Sequence, residues 1–345
     1  MIKYFRFSIV ASVVGVALAM VLGGPRVGAT VAVLAVLEMS LSFDNAVVNA
    51  RVLERMDPRW QKLFLTVGIV IAVFGMRLIF PLVIVGLAGH LGPVQVVDLA
   101  LHHPHEYATT LLSAHAAIAT FGGIFLLMIF LDFILEHREI TWLTPLEQRL
   151  ARVGRLSSVA TIVGLVVLMI ATPTLGRHHQ EQVLFSGVAG LLTYLIVKSV
   201  SDLFAPTEQG APASAGARAG AGLAAFMYLQ LLDASFSFDG VIGAFAVSDK
   251  IFEIAAGLGI GALWVRSATV YIVRKGVLSE YVYLEHGAHY AIGALALLLL
   301  VSISREIPEL VTGLIGVVII GLALVSSVRA RRRLAGPHDP GRSPR

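Results

Sequence analysis

Apolar stretches at 5–24, 27–50, 63–88, 110–135, 158–176, 183–205, 221–246, 251–273, 287–304 and 308–328 limit this chain more than any other feature. A hydrocarbon layer of ~30 Å takes about 20 such residues in a helix to cross. The chain is therefore expected to be all-α, a polytopic membrane bundle of about 10 transmembrane helices. Composition agrees, with 57% hydrophobic and 14% charged residues and a mean hydropathy of +0.83. The first stretch follows Lys3 and Arg6 and contains Ala17-Leu18-Ala19, so it also has the marks of a cleaved signal peptide; a retained span is the favoured reading.

A net charge of +4 and a pI near 9.5 would suggest nucleic acid as the partner of a soluble chain. Here the basic residues follow the membrane instead. Of 26 lysines and arginines, 20 lie in the N-terminus, the tail and the loops after spans two, four, six and eight. The other five loops hold four. Both termini are then expected in the cytoplasm of a bacterial-type inner or plasma membrane, with lipid and no nucleic acid as partner. The chain has no cysteine, so any metal must be held by oxygen or imidazole.

Span two carries Glu38 to Ala50, EMSLSFDNAVVNA, and 195 positions later span seven carries Asp233 to Ala246, DASFSFDGVIGAFA. Asp233 matches Glu38, Ser235 matches Ser40, Ser237 matches Ser42 and Asp239 matches Asp44. The likeness extends further: Arg77 and Arg266 each stand nine residues after a glycine, and His115 and His289 each stand 17 residues before an acid, Asp132 or Glu306. Spans two and seven are an odd number apart, so the two halves, 1–182 and 183–328, are expected to form an inverted repeat, the plan of many secondary transporters. The break at 173–182 is the step on which this inversion depends. A small-residue linker (206–222), an amphipathic cytoplasmic segment (143–156) headed by Thr144 and Glu147, and a disordered basic tail (329–345) complete the expected organisation.

Each ionised side chain at the bilayer centre costs at least ~2.5–3.5 kcal/mol. Glu38, Asp44, Asp233 and Asp239 must therefore be protonated, paired or bound to a cation. Arg77 and Arg266 offset two of the four charges if they reach the site, and one divalent cation would neutralise the rest. Asn45, Ser40, Ser42, Ser235 and Ser237 add neutral oxygens of the kind hard cations accept. In an unbroken helix Glu38 and Asp44 point about 120° apart, so unwinding is expected at 42–45 and 237–240. His115 and His289 are candidates for proton relay or coordination. The rival reading, salt bridges that only hold helices together, is weakened by duplication of the whole motif. No phosphate loop, zinc-protease motif or serine elbow is present, and no enzyme activity is expected.

The doubled motif, Glu38-x-x-x-Ser42-x-Asp44-Asn45 with Asp233-x-x-x-Ser237-x-Asp239, resembles the TerC (tellurium-resistance C-like) family within the LysE-exporter-related group. The resemblance implies manganese efflux through a metal site lined by Glu38, Asp44, Asn45, Asp233 and Asp239. No resident cofactor is expected, and protons are the candidate counter-ion, since a bound cation lowers the raised pKa of a buried carboxylate. Gly240 departs from the family pattern, which commonly has a polar residue there. The alternative is a non-transporting membrane factor that assists membrane-protein insertion or a metal-resistance complex.

Overall fold

The structure is a computed structural model that describes residues 2–154, 158–177, 179–203, 215–245, 247–305 and 307–334. Within these ranges the side chains of Asp44, Asp239 and a few other helical residues lie outside the description. The chain is all-α, as expected. Among the described residues seven helices are long and apolar enough to cross a membrane, and a bent pair makes an eighth.

Helix α1 (Ile2–Gly23) turns into α2 (Pro25–Leu41) at Gly24, whose φ of 87° is open to glycine and which is followed by proline at the first helical position. α1 is tied to the bundle by polar contacts: the Ser8 hydroxyl donates to the Leu263 carbonyl at 2.8 Å and sits 2.7 Å from the Ser267 hydroxyl, and Trp264 Nε1 donates to Ser12. α2 stops at Ser42, and α3 (Phe43–Arg55) leaves at an angle of 57°. Then α4 (Pro58–Val70) runs through a π-helical stretch, Ile71–Ile79, into α5 (Phe80–Ala88). The wide turns directly precede Pro81, which has no N–H to give to the carbonyl four residues back.

After two short helices, α6 (Pro93–His102) and α7 (Pro104–Ser113), the buried α8 (His115–Leu135) forms the middle of the bundle. A short α9 (Thr144–Val153) follows. Leu146 and Val153 are exposed on it while Glu147 is buried, accepting the Leu143 N–H at 2.9 Å and the Tyr290 hydroxyl at 3.0 Å. Leu143 rather than Thr144 is the N-cap of α9. α10 (Val159–Thr174) and α11 (Gln180–Leu203) are separate helices that fold back on one another: Gly187 faces Leu168, and Gly176 faces Val183. The break at 173–182 is therefore a hairpin turn.

The second motif lies on α12 (Ala215–Phe245), which runs without interruption through Gly240. The unwinding expected at 237–240 does not occur; only the first motif is broken, at Ser42. α13 (Ile251–Lys275), a short α14 (Val277–Glu280), α15 (Leu284–Ser302) and α16 (Glu309–Leu334) complete the chain. The motif helices pack crosswise, α2 against α13 and α12 against the π-helical stretch, while α8 lies against α15 and α11. At the α2–α13 contact a Cβ added to Gly257 would lie 2.4 Å from Leu34 Cβ, and one added to Gly261 2.5 Å from Glu38 Cβ. This small-x-x-x-small pair brings two helices close enough to place a carboxylate between them.

Candidate functional site

The end of α2 lowers Glu38 into the interior, where it is fully buried. Its Oε1 accepts the Ser42 hydroxyl at 2.8 Å and a guanidinium N–H of Arg77. Arg77 is itself buried, and its other terminal nitrogen donates to the Ala72 carbonyl within the π-helical stretch. Glu38 Oε2 has no hydrogen-bond partner among the described residues. It rests against Gly240 of the second motif, where a Cβ would stand 2.9 Å away. A side chain at 240 would press on the Glu38 carboxylate.

Beyond the bend, α3 offers Asn45 and Asn49, one turn apart on one face. Both side-chain amides donate to Asp233 Oδ1, at 2.7 and 2.8 Å. The first motif thus grips the acid of the second through two amides. Ser42, Asn45, Asn49, Ala72, Arg77, Asp233, Ser237, Ala262, Val265, Arg266 and Thr269 enclose a cavity of about 30 Å³. Each water needs ~10–15 Å³ by this measure, so roughly two water-sized bodies fit and a fully hydrated cation does not. Ser237 is buried, and its hydroxyl has no partner among the described residues.

Arg266 also lines the cavity, but it does not pair with a described acid: it donates to the Phe64 carbonyl and lies 4.6 Å from the Phe64 ring centroid. The charged side chains lining the cavity are Arg77, Arg266 and Asp233; with Glu38, which bonds Arg77 but does not line the cavity, two arginines stand against two described acids. A divalent cation would need the further charge of Asp44 and Asp239, whose side chains lie outside the described residues. Among the described residues no three histidine, aspartate or glutamate side chains gather to hold a metal by themselves.

Four sequence candidates lie elsewhere. Ser40 is exposed and donates to the Val36 carbonyl; Ser235 donates to the Leu231 carbonyl in its own helix. His115 bonds the Ser302 carbonyl at 3.2 Å, and His289 stacks on Phe133 with ring centroids 3.8 Å apart while bonding the Glu285 carbonyl. Asp132 binds Tyr194 and Lys198 at a separate cavity of about 350 Å³, and Glu306 lies outside the described residues. Asn49 and Thr269 are the polar cavity residues that sequence reasoning missed. For Asn49 a signal existed, its position one helical turn after Asn45; for Thr269 there was none.

No curated protein and no solved structure matches the chain. α3, the second motif, Arg77 and Arg266 fall inside one family match, and α2 with Glu38 and Ser42 lies just before it. The chain belongs to the family described as protein of unknown function DUF475, whose model matches residues 43–334.

Proposed function

We propose that the chain is a divalent-cation transporter, with manganese efflux as its activity, built as a ten-span inverted repeat with both termini in the cytoplasm. The observation that carries the proposal is the joint cavity: side chains from two copies of one motif, 195 residues apart, line a single space, Ser42, Asn45 and Asn49 from the first and Asp233 and Ser237 from the second. A pair that served only to staple helices would need no cavity. The open Oε2 of Glu38 and the open hydroxyl of Ser237 add oxygen donors of the kind Mn²⁺ and Mg²⁺ accept. The choice of manganese rests on the TerC-like motif pair.

Support for the inverted repeat comes from the exchange of partners. Each motif helix packs on the helix that follows the other motif, α2 on α13 and α12 on the π-helical stretch. With α10 and α11 read as two spans joined by a hairpin, four spans separate the motif spans, which then cross in opposite directions. In an alternating-access cycle the halves 1–182 and 183–328 would rock about this cavity, with protons as counter-ion when a motif acid gives up its metal.

The test is equilibrium binding and flux of Mn²⁺ with purified protein in liposomes. Asp44→Asn and Asp239→Asn each remove one of the two charges the described walls do not balance. Loss of flux in both, with folding intact, is the expected result; wild-type flux in both ends the proposal. A folded wild type that neither binds nor moves Mn²⁺ returns the alternative, a factor acting in membrane-protein insertion or a metal-resistance complex.

A further inference from the structure

Two cavities share a wall where α1 turns into α2 and α12 gives way to α13, and the proposed function uses neither. The first, of about 410 Å³, is polar, with Arg26, Thr30, Ser248, Asp249, Lys250 and Glu253 in its lining. The second, of about 610 Å³, is apolar. It lies between α1, α2 and α13 on one side and the corner of α6 and α7 on the other, and Gly15, Leu22, Val31, Leu101, Pro104 and Phe252 are among its walls. Val27, Lys250 and Glu253 line both spaces. Each volume falls in the ~300–1,000 Å³ range of ligand pockets. Their order follows the membrane: the polar cavity sits at the helix ends, beside the Gly24 turn and residues 247–250, whereas the apolar one reaches Gly15, ~13 Å back along α1 from that turn.

An apolar cavity does not hold water, and left empty its lining forgoes dispersion contacts. Beside helices that cross a membrane, the filler at hand is an acyl chain. In the polar cavity Glu253 is already engaged, pairing with Lys250 Nζ at 3.1 Å and accepting the Ser248 hydroxyl at 2.9 Å. Arg26 and Asp249 make no ion pair among the described residues, so one free cation and one free carboxylate line the same space. We propose that the two cavities hold one phospholipid with a phosphoethanolamine headgroup, its phosphate on Arg26, its ammonium on Asp249 and an acyl chain in the apolar cavity. Arginine presents paired N–H donors that suit a phosphate, and a primary ammonium brings three donors to a carboxylate. Choline has no N–H and is held by several aromatic faces, whereas Phe245 is the aromatic side chain of the polar cavity; a glycerol headgroup brings no cation to Asp249. Through the chain, α1, which packs on α2 and α13, gains a contact with the α6–α7 corner.

The test titrates the full-length chain, purified in detergent and stripped of lipid, with phosphatidylethanolamine, phosphatidylcholine and phosphatidylglycerol of identical acyl chains, read by native mass spectrometry and thermal unfolding. One phosphatidylethanolamine is expected to bind about tenfold or more tightly than either of the others and to raise the unfolding temperature. Arg26 and Asp249 are exposed, so the double variant Arg26→Gln/Asp249→Asn should unfold like wild type without lipid and bind the three headgroups alike. Ala256, exposed in the apolar wall, gives a second variant: Ala256→Phe should weaken all three lipids about tenfold and leave lipid-free unfolding unchanged. Equal affinity of wild type for the three headgroups marks an unselective boundary lipid and overturns the proposal, and so does a double variant that keeps the preference. Wild-type binding in Ala256→Phe, or binding of chain-free glycerophosphoethanolamine as tight as that of the lipid, overturns the placement of the acyl chain. No readout involves Mn²⁺, so failure here and failure of the transporter reading are separate outcomes.

Discussion

Arg77 is the residue on which the first motif depends, since it bonds Glu38 with one nitrogen and its own helix with the other. Removing one member of a buried ion pair leaves an uncompensated charge and costs about 3–5 kcal/mol. Arg77→Leu is thus expected to lower stability in detergent by about that amount, and Glu38→Gln combined with it should recover part of the loss; an Arg77→Leu protein as stable as wild type would sink the assignment. The sequence made the four acids and the two arginines visible, because ionisable groups in apolar runs are rare enough to attract notice. It did not show that the arginines part ways, Arg77 to a carboxylate and Arg266 to a carbonyl and a ring. That difference depends on the π-helical stretch, which turns Arg77 inward and has no signal beyond the proline that follows. The spacing did separate Ser40 from Ser42: four residues from Glu38, Ser42 shares its helix face and donates to it, whereas Ser40 points the other way and donates to the Val36 carbonyl.

Between elements, the closest approach in the site is that of α2 and α13 across Gly257 and Gly261. A leucine at Gly261 would drive its side chain into Glu38 and push α2 away from the cavity. Overpacking of this kind costs typically 1–3 kcal/mol, and here it should also abolish Mn²⁺ binding, which calorimetry on Gly261→Leu can check against Gly259→Leu, whose Cβ would lie 3.2 Å from Val73 and away from Glu38. Equal effects of the two would mean that helix spacing, and not the position of Glu38, sets binding. The break at Ser42 was legible, because one helix cannot aim Glu38 and Asp44 at a common point. The same argument applied to α12 fails. There the acid at 233 is met by amides from α3, so the helix has no need to open, and Gly240 serves closeness to Glu38 in place of flexibility. The resulting asymmetry, one motif bent and one straight, is a tertiary outcome that two nearly identical strings of residues conceal.

On the scale of the whole molecule, the inversion of the two halves decides whether the joint cavity can serve alternating access at all. Two motif helices that cross the membrane in opposite directions present one site to the two sides in turn; parallel copies would not. The absence of cysteine makes this directly measurable, since a single introduced thiol meets no background. Arg59 follows the first motif and Lys250 follows the second, and the basic-residue asymmetry assigns the first to the cytoplasm and the second to the outside. In intact cells a membrane-impermeant maleimide should therefore label Lys250→Cys and spare Arg59→Cys, with both labelled once the membrane is opened. Arg274→Cys should behave like Arg59→Cys, and His103→Cys like Lys250→Cys. Labelling of positions 59 and 250 from the same side would make the halves parallel: the crosswise packing of α2 on α13 and α12 on the π-helical stretch would then be a matter of helix stability, and the rocking cycle would have to be abandoned even if the cavity binds metal.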